Sequence, residues 1–260
     1  MSNRRARILG LIGVAGALAL WEAAAQAGLI NSLLLSSPAG IVDGAVRLID
    51  SGKLWGNLWV SFVEFVLGMI LATVIGVSLG LAAGWSRWAG YVIDPWLTIL
   101  YSTPMVALAP LLILVFGIDL SAKAMIVFLF AVFPVAINTL AGVQTTANRY
   151  LRVARSFSAS QPKILQSVVI PGSLPYVLTG LRVGGGHAIV GIVVAELLAS
   201  DQGIGFLLSI AGATFQTGEL LFLVTVLGLG GMAYAALIKR LEERMERWRP
   251  VVQRTAGARQ

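Results

Sequence analysis

Side chains that could do chemistry are few in this chain, and their types exclude most enzyme mechanisms. The chain has one histidine, His187, and no cysteine, which excludes thiolate metal sites and thiol nucleophiles. We find no combination of acid, base and nucleophile that is typical of an enzyme. No glycine-rich loop ends in Lys-Ser/Thr, so the sequence predicts that the chain hydrolyses no ATP and binds no metal or cofactor itself.

Two carboxylates lie in or beside long apolar runs, where ionisable groups are costly and are therefore candidates for function. Glu64 is inside one run, and Glu196 is near the end of another, where it could instead reach the lipid headgroups. The other polar groups in apolar surroundings are Asn138 and His187. A lone histidine without acidic or thiol partners is more often a helix contact than a base or a ligand.

A pair of prolines predicts a kink in one apolar run. Pro104 and Pro110 interrupt it, and the two residues before Pro104 carry hydroxyls that can bond to the carbonyls that a proline leaves free. Broken helices at mid-membrane depth line solute paths in many transporters, although a kink that serves packing alone fits the same pattern. The predicted path residues are Ser102, Thr103, Pro104, Asn138, His187 and Glu196.

The composition places these residues in a membrane protein. Of the 260 residues, 57% are hydrophobic and 12% are charged, and apolar runs of about 20 residues, long enough to cross a bilayer, separate the charged clusters. We predict an all-α integral membrane protein that forms one transmembrane domain, 1–260, with about six spans. The predicted spans are about 8–27, 58–83, 93–116, 122–143, 175–199 and 220–238.

The basic residues predict the orientation of these spans. The formal net charge is +7, but the lysines and arginines form no stripe interleaved with aromatic residues, so they do not indicate nucleic-acid binding. They concentrate on one side of the spans, which the positive-inside rule assigns to the cytoplasm. We therefore predict that both termini are cytoplasmic. The first run, with Ala25, Gln26 and Ala27 at its end, also has the pattern of a cleaved secretory signal.

Two segments outside the spans are predicted to be helical. Ser37 and Pro38, followed by regularly spaced apolar residues, predict a short helix over 37–49 on the outer membrane surface. The tail, 239–260, begins with charges of mixed sign, and Glu243 stands four residues before Arg247. This spacing indicates that the tail begins as a solvated helix continuing the last span.

Glycines and alanines indicate where helices pack closely. Five small residues recur every four positions in the second run and form what we call the small-residue face, which predicts close packing against a helix of the same chain or of a second copy. Three consecutive glycines in the fifth run lack the flanking residues of a phosphate loop, so they indicate relief of crowding or a bend. The two sets are Gly68, Ala72, Gly76, Gly80 and Gly84, and Gly184, Gly185 and Gly186.

A basic, polar segment, 148–171, interrupts the apolar pattern between the fourth and fifth spans. Two short helices are predicted in it, the first with an apolar and a basic face, the second beginning at Ser160 and ended by Pro171 and Pro175. Such helices suit docking of a soluble partner, or they rest on lipid headgroups. The apolar faces comprise Tyr150, Leu151, Ala154, Phe157 and Ser158, then Ile164, Leu165, Val168 and Val169, and the basic face comprises Arg149, Arg152 and Arg155.

This segment resembles the cytoplasmic loop motif of ABC importer permeases, Glu-Ala-Ala, three residues, Gly, nine residues, Ile, one residue, Leu-Pro. Arg152, Val153 and Ser158 stand in place of the glutamate, one alanine and the glycine. Other stretches resemble the nitrate, sulfonate and taurine branch of that family: SPAGIV from Ser37, STPMVALAPLLILVFGI from Ser102, FPVAINTLAG from Phe133, PYVLTGLRVGGGHAIVGIVVAELLAS from Pro175 and GIGFLL from Gly203.

The resemblance implies a type I importer permease of the bacterial cell membrane that carries a small solute such as a sulfonate, nitrate or taurine. Its implied partners are a second permease copy, two cytoplasmic ATPase subunits that bind ATP and Mg²⁺, and an extracytoplasmic solute-binding protein. The residues implied to couple to the ATPases are Tyr150, Arg152, Val153, Ala154, Arg155, Phe157, Ser158, Ala159 and Pro171.

If the turn after the first coupling helix needs a left-handed residue, Ser158 is a less tolerant choice than the family glycine.

A self-sufficient secondary transporter or channel is the alternative function. Such a protein should show repeated spans and coupling carboxylates at mid-membrane, and we find no repeat.

Overall fold

A computed structural model of the chain describes residues 3–31 and 33–246, apart from the side chains of residues 3–7, 11, 148, 149, 151–155, 199 and 246. Every regular element in these ranges is helical. In chain order the elements are α1 (Asn3–Gln26), α2 (Pro38–Asp50), α3 (Lys53–Trp85), α4 (Arg87–Ser102), α5 (Met105–Phe116), α6 (Leu120–Ser156), α7 (Gln161–Ile164), a π-helical turn (Leu165–Val169), α8 (Ile170–Ala199), α9 (Ile204–Ala213) and α10 (Thr217–Glu246).

Five helical segments within the described ranges are long and apolar enough to cross a membrane, and the pair formed by α4 and α5 makes a sixth candidate. The predicted all-α, multi-pass class is therefore confirmed. The exact membrane boundaries and the single-domain organisation stay predictions. The five segments are Ile8–Gln26, Lys53–Trp85, Leu120–Ala147, Gln161–Leu198 and Thr217–Met245.

The third predicted span is broken more sharply than a kink. The helices α4 and α5 meet at 101°, and at 1.5 Å per residue they are only about 24 and 18 Å long, each shorter than a hydrocarbon core of about 30 Å. Pro104 has no N–H to donate, and it pushes Thr103 into an extended conformation with φ −75° and ψ 131°. Pro104 and Pro110 thus act differently, because Pro110 lies within α5.

The chain divides into two compact units, each with its own core. The first unit comprises Met1–Leu67, Val106–Val127 and Ile189–Gly230. The second comprises Gly68–Met105, Phe128–Ala188 and Gly231–Gln260.

In the first unit, α2 packs against the beginning of α10. Ser37 caps α2 by accepting a 3.1 Å hydrogen bond from the Gly40 amide, so the helix predicted from Ser37 and Pro38 is present. A Cβ atom on Gly44 would lie 2.6 Å from the Glu219 amide nitrogen, which makes glycine necessary at this crossing. Arg47 and Glu219 form an ion pair there at 3.0 Å. The buried core beside them contains Leu48, Leu54, Ile204, Leu207, Leu208 and Leu223.

In the second unit, the small-residue face of α3 packs against α6 of the same chain. A Cβ atom on Gly76 would lie 2.9 Å from the Val132 carbonyl oxygen, and one on Gly80 would lie 2.5 Å from that of Ala136. A Cβ atom on Gly84 would lie 2.6 Å from the Cβ atom of Val143. For these three glycines the prediction of close packing within one chain is confirmed.

The glycine triplet of α8 also relieves crowding. A Cβ atom on Gly184 would lie 3.0 Å from Val135 Cγ2, and one on Gly185 would overlap the ring of Tyr234, whose hydroxyl donates a 3.0 Å hydrogen bond to the Leu181 carbonyl. Gly186 faces open space. Two of the three glycines are therefore required by the approach of α6 and α10.

The last helix continues beyond the final apolar run, as the tail pattern predicted. Glu242 lies 3.5 Å from Arg182, and Glu243 lies 3.9 Å from Lys239 four residues earlier. The predicted partner of Glu243, Arg247, lies outside the described residues.

Candidate coupling segment and carboxylate cluster

The segment 148–171, which we call the coupling segment, is built differently from the two short helices that the sequence predicted. Its first part is the end of α6, which continues unbroken to Ser156. After a four-residue turn, α7 leads through the π-helical turn directly into α8. The prediction that Pro171 and Pro175 end the second helix is wrong, since both lie within the first turns of α8.

A shift in hydrogen bonding lets the helix pass through these prolines. In the π-helical turn the Ile170 amide bonds to the Leu165 carbonyl, five residues back, so the register changes just before Pro171, which has no N–H. Hydroxyls then bond to carbonyls near the prolines: Ser173 donates to the Ile170 oxygen at 3.0 Å, and Thr179 to the Pro175 oxygen at 3.0 Å.

The turn between α6 and α7 contains a left-handed residue at the position where the family motif has glycine. Ser158 has φ +52°, a region that costs a residue with a Cβ atom about 1 kcal/mol or more. The next residue but one, Ser160, takes the N-cap position of α7, but its side chain makes no capping hydrogen bond.

The second half of the coupling segment is anchored to the helix bundle. Ile164 is 1% exposed and Val169 is fully buried, and both pack against Val143 of α6. Leu81 and Trp85 at the end of α3 cover this cluster. The predicted apolar stripe is confirmed, with Gln166 and Ser167 exposed on the opposite side. A force applied to this part of the segment would therefore be transmitted to α3 and α6 as well as to α8.

The tip of the coupling segment instead presents aromatic surface. Phe157 is 81% exposed beside the left-handed Ser158, and Tyr150, which lies seven residues earlier on α6, is 46% exposed. Ala159 is half-buried against the anchoring cluster, and Pro171 is exposed. The side chains of Arg149, Arg152, Val153, Ala154 and Arg155 lie outside those that the structure describes, so the predicted basic face stays a prediction.

The predicted path residues of the second unit satisfy their polar groups within their own helices. Ser102 and Thr103 donate to the Thr98 and Ile99 carbonyls at 2.8 and 2.9 Å. The carbonyl that Pro104 deprives of its usual donor is that of Leu100, and it accepts from the Thr103 amide at 3.3 Å instead of from a hydroxyl. Asn138 donates to the Pro134 carbonyl at 2.8 Å. His187 Nδ1 lies 3.1 Å from the Val183 carbonyl oxygen. Its ring is 6.4 Å from that of Tyr101.

Glu196 belongs to the first unit, where it caps the beginning of α9. The carboxylate is 1% exposed. Its Oε1 accepts a 2.6 Å hydrogen bond from the Ser61 hydroxyl, and its Oε2 accepts one of 2.6 Å from the Gly205 amide. The Ile204 amide donates to Ser61 at 2.8 Å. Two amides that a helix leaves free at its N-terminus are thus bound by side chains of α8 and α3.

Two glycines make this cap possible and explain the stretch GIGF. Gly203 has φ +109°, and a Cβ atom added to it would overlap the Glu196 carboxyl group. Its amide donates a 2.6 Å hydrogen bond to Asn57 on α3. A Cβ atom on Gly205 would lie 2.6 Å from the Glu196 Cβ atom. The alternative reading of Glu196, a side chain that reaches the lipid headgroups, is wrong because the side chain is buried in these contacts.

Glu64 lies next to this cap with a buried cation. It is fully buried, and its Oε1 is 3.0 Å from Nζ of Lys123, which is 6% exposed. Lys123 also donates a 2.6 Å hydrogen bond to Ser200. The carboxyl groups of Glu64 and Glu196 also contact each other. We call Ser61, Glu64, Lys123 and Glu196 the carboxylate cluster.

Both carboxylates of this cluster are recognisable in the sequence as ionisable groups in apolar runs, but their partners are not. Lys123 is one of the basic residues from which we predicted only the orientation of the spans. It stands in the first turn of α6, where the helix dipole disfavours a cation. Its position in the first turn of a helix was the one feature that indicated a carboxylate close to Lys123.

The sequence matches, over residues 60–248, the model of a family described as the inner membrane component of binding-protein-dependent transport systems. It is 34% identical over 235 residues to a putative aliphatic sulfonates transport permease protein, SsuC, of Escherichia coli strain K12, covering 90% of this chain and 89% of that protein. It is 30% identical over 241 residues to the taurine transport system permease protein TauC of the same strain, covering 91% and 88%.

Solved structures share the fold. The chain is similar to one from the MetNI methionine ABC transporter in an inward facing conformation, with a TM-score of 0.66 and 14% sequence identity. The match covers 75% of this chain and 98% of that one. At this identity the likeness concerns the fold alone.

Proposed function

The chain belongs to the family of inner membrane components of binding-protein-dependent transport systems, and from this membership we propose how it couples ATP hydrolysis to solute movement. It is the membrane-spanning permease subunit of an ATP-driven importer, and its fold is that of a type I ABC importer permease. In our proposal a separate ATPase subunit docks on the coupling segment and moves it. ATP and Mg²⁺ then bind to the ATPase subunits.

One observation carries this proposal: a large aromatic side chain is held exposed at the tip of a segment whose other half is buried. Phe157 is 81% exposed, whereas Ile164 and Val169 of the same segment are almost completely buried against α3 and α6. Exposed aromatic residues on a stiff support are typical of interface anchors. The geometry supports a lever, because displacement of the tip loads the anchored half and the helices that hold it.

Docking of the ATPase subunits on the coupling segment would also determine how the assembly is oriented in the membrane. We propose that the coupling segment and both termini are cytoplasmic in a bacterial cell membrane, which the distribution of basic residues supports. A solute-binding protein would then approach from the opposite side. Two copies of the chain would form the solute path, and Ser102, Thr103, Pro104, Asn138 and His187 remain our candidates for residues that line it. Glu196 is no longer among these candidates, because its carboxylate is buried in the cap of α9.

We propose that the cargo is a small sulfonate, nitrate, taurine or a similar small anion. This choice of cargo is supported by the names of two relatives, one for the transport of aliphatic sulfonates and the other for the transport of taurine. The net charge of the chain does not bear on this choice, because membrane orientation accounts for most of the basic residues.

Reconstitution tests this function against the alternative of a self-sufficient transporter or channel. Liposomes would contain the chain alone, the chain with its ATPase subunits, or both with the binding protein and ATP, and uptake of ethanesulfonate would be measured. We expect uptake only in the complete, ATP-supplied system. Uptake by the chain alone that is independent of ATP would overturn the proposal and support the alternative.

A further inference from the structure

We propose that Phe215, in the turn between α9 and α10, anchors the solute-binding protein on the extracytoplasmic side of the membrane. The side chain is 63% exposed, and the residue has φ +56°. This left-handed region is rare for a bulky residue and costs free energy, because the Cβ atom crowds the backbone. Backbone strain of this kind is typical of functional positions, where the surrounding structure holds a side chain in place.

Phe215 occupies a position at which glycine is the usual residue. The turn is a Schellman motif, in which the Gln216 amide donates to the Ala211 carbonyl at 2.8 Å and the Phe215 amide donates to the Gly212 carbonyl at 3.3 Å. The left-handed residue of this motif is usually glycine, which has no Cβ atom. The exposed ring also adds little to the core. Neither the turn nor the core therefore explains the phenylalanine, whereas a contact outside the chain does.

The turn that carries Phe215 is fixed on both sides. Before it, Glu196 and Ser61 hold the first turn of α9 by hydrogen bonds. After it, the start of α10 crosses α2 at close range, since a Cβ atom on Gly218 would overlap the Gly40 carbonyl group. An aromatic side chain on such a support loses little conformational freedom when it binds a partner, which favours an interface anchor.

Phe215 and the coupling segment lie on opposite sides of the membrane in the proposed orientation. The candidate span Gln161–Leu198 separates them, and α9 is too short to cross back. The ATPase subunits therefore cannot reach Phe215, whereas a solute-binding protein can. This inference rests on the proposed function, because that function supplies both the orientation and the binding protein.

Charged side chains beside the turn indicate the chemistry of the partner surface. Asp43 and Asp50 are exposed on α2, the helix that crosses the start of α10, and neither has an ion pair within the described part of the chain. Arg47, between them, is already paired with Glu219. The charge left over beside Phe215 is negative, which fits an apolar pocket bordered by lysine or arginine residues on the partner.

The test is binding of the solute-binding protein of this transport system, loaded with ethanesulfonate, to the permease–ATPase complex in lipid nanodiscs. In Phe215→Gly we expect binding to weaken by about tenfold or more, as for an aromatic anchor. The melting temperature should stay equal or rise, because glycine relieves the strain of the turn. Unchanged binding would overturn the proposal. Weaker binding together with a lower melting temperature would also overturn it, since Phe215 would then serve the turn itself.

Two further variants test the specificity of this contact. Phe62→Ala is the matched control, because it removes an exposed aromatic ring within α3, and it should leave binding unchanged. An equal loss in Phe62→Ala and Phe215→Gly would contradict an anchor at Phe215. The double variant Asp43→Asn and Asp50→Asn should slow association at low salt. Unchanged association would contradict a basic border on the partner.

The outcomes separate this inference from the proposed function. Recovery of the ATPase with Phe215→Gly should equal that with the unchanged chain, since the ATPase docks on the coupling segment. Full binding of the solute-binding protein by an intact Phe215→Gly complex would reject this inference alone. Failure of the unchanged chain to recover an ATPase would reject the proposed function. If Phe215→Gly instead abolishes pairing between differently tagged copies of the chain, the ring contacts a second copy and the proposal is overturned.

Discussion

The backbone amide of Gly205 donates a 2.6 Å hydrogen bond to the buried carboxylate of Glu196, which joins the first turn of α9 to α8. The second oxygen of the same carboxylate holds Ser61 of α3 at 2.6 Å. A ten-residue apolar helix that is too short to cross a membrane is thereby attached to α8 by Glu196 and to α3 by Ser61, and the Glu196 carboxylate links the two attachments. The stability of this region should depend on that carboxylate.

Replacement of the carboxylate tests this attachment. In Glu196→Gln the amide group of glutamine cannot accept from both the Gly205 amide and the Ser61 hydroxyl, because one of its two polar atoms is a donor. We expect a loss of about 1–3 kcal/mol in the free energy of unfolding, measured as a lower melting temperature in detergent. Glu243→Gln is the control, since its ion pair with Lys239 is exposed and should contribute less than about 1 kcal/mol. Equal melting temperatures for the two variants would show that the cap is dispensable.

The glycines of the same turn should tolerate no side chain. Gly203→Ala combines a left-handed backbone with overlap of the Glu196 carboxyl group, so we expect a cost of at least about 1–3 kcal/mol. Gly186→Ala is the matched control because nothing lies within 4 Å of the added atom, and a helical alanine there should be neutral or stabilising. Thermal unfolding of both variants in detergent measures the difference. If Gly203→Ala is as stable as Gly186→Ala, the described turn is incorrect.

The small-residue face predicts a further difference between glycines of α3 and α10. In Gly80→Ala the new methyl group would lie 2.5 Å from both the Ala136 oxygen and the Thr139 Cβ atom, so α3 and α6 must separate. We expect a lower melting temperature and a lower yield of folded protein in the membrane. Gly230→Ala, which meets open space, should show neither effect. A stable Gly80→Ala protein would mean that α3 and α6 are less closely packed than described.

Restoring glycine to the coupling turn should relieve strain. Ser158 has φ +52°, so Ser158→Gly is expected to stabilise the turn by up to about 1 kcal/mol, while the β-branched Ser158→Val should destabilise it by more. Melting temperature and recovery of the ATPase complex are the measurements, and Ser167→Val, exposed on the π-helical turn, is the control. The reverse order, with glycine the less stable variant, would contradict a left-handed residue at this position.

The sequence predicted the class of fold because its composition indicates membrane-spanning segments. Several runs of about 20 apolar residues in one chain indicate that the chain lies in a bilayer. In lipid these runs must be helical, because every backbone N–H and C=O group needs a hydrogen-bond partner within the protein. The small-residue face was also readable, since spacing of four residues places Gly76, Gly80 and Gly84 on one side of a helix. The spacing of residues did not indicate the role of the coupling segment. The resemblance to a known family did.

The errors arose where local rules met tertiary structure. Proline usually ends a helix, and we predicted that Pro171 would do so, but the π-helical turn and the hydroxyl of Ser173 allow α8 to include it. Thr103 and Pro104, in contrast, separate two helices where we predicted a kinked span. The carboxylate cluster joins residues more than a hundred positions apart, and no periodicity within one segment can indicate such a contact.

The most direct test of the central claim is recovery of the ATPase with the affinity-tagged permease from membranes. The variants are Phe157→Ala at the exposed tip and Trp55→Ala, a 63% exposed aromatic residue of α3, as the control. Both proteins should insert into the membrane in equal amounts. We predict that Phe157→Ala loses most of the co-purified ATPase, by about tenfold or more for an aromatic interface anchor, whereas Trp55→Ala retains it. Undiminished recovery of the ATPase with Phe157→Ala would contradict docking at the coupling segment.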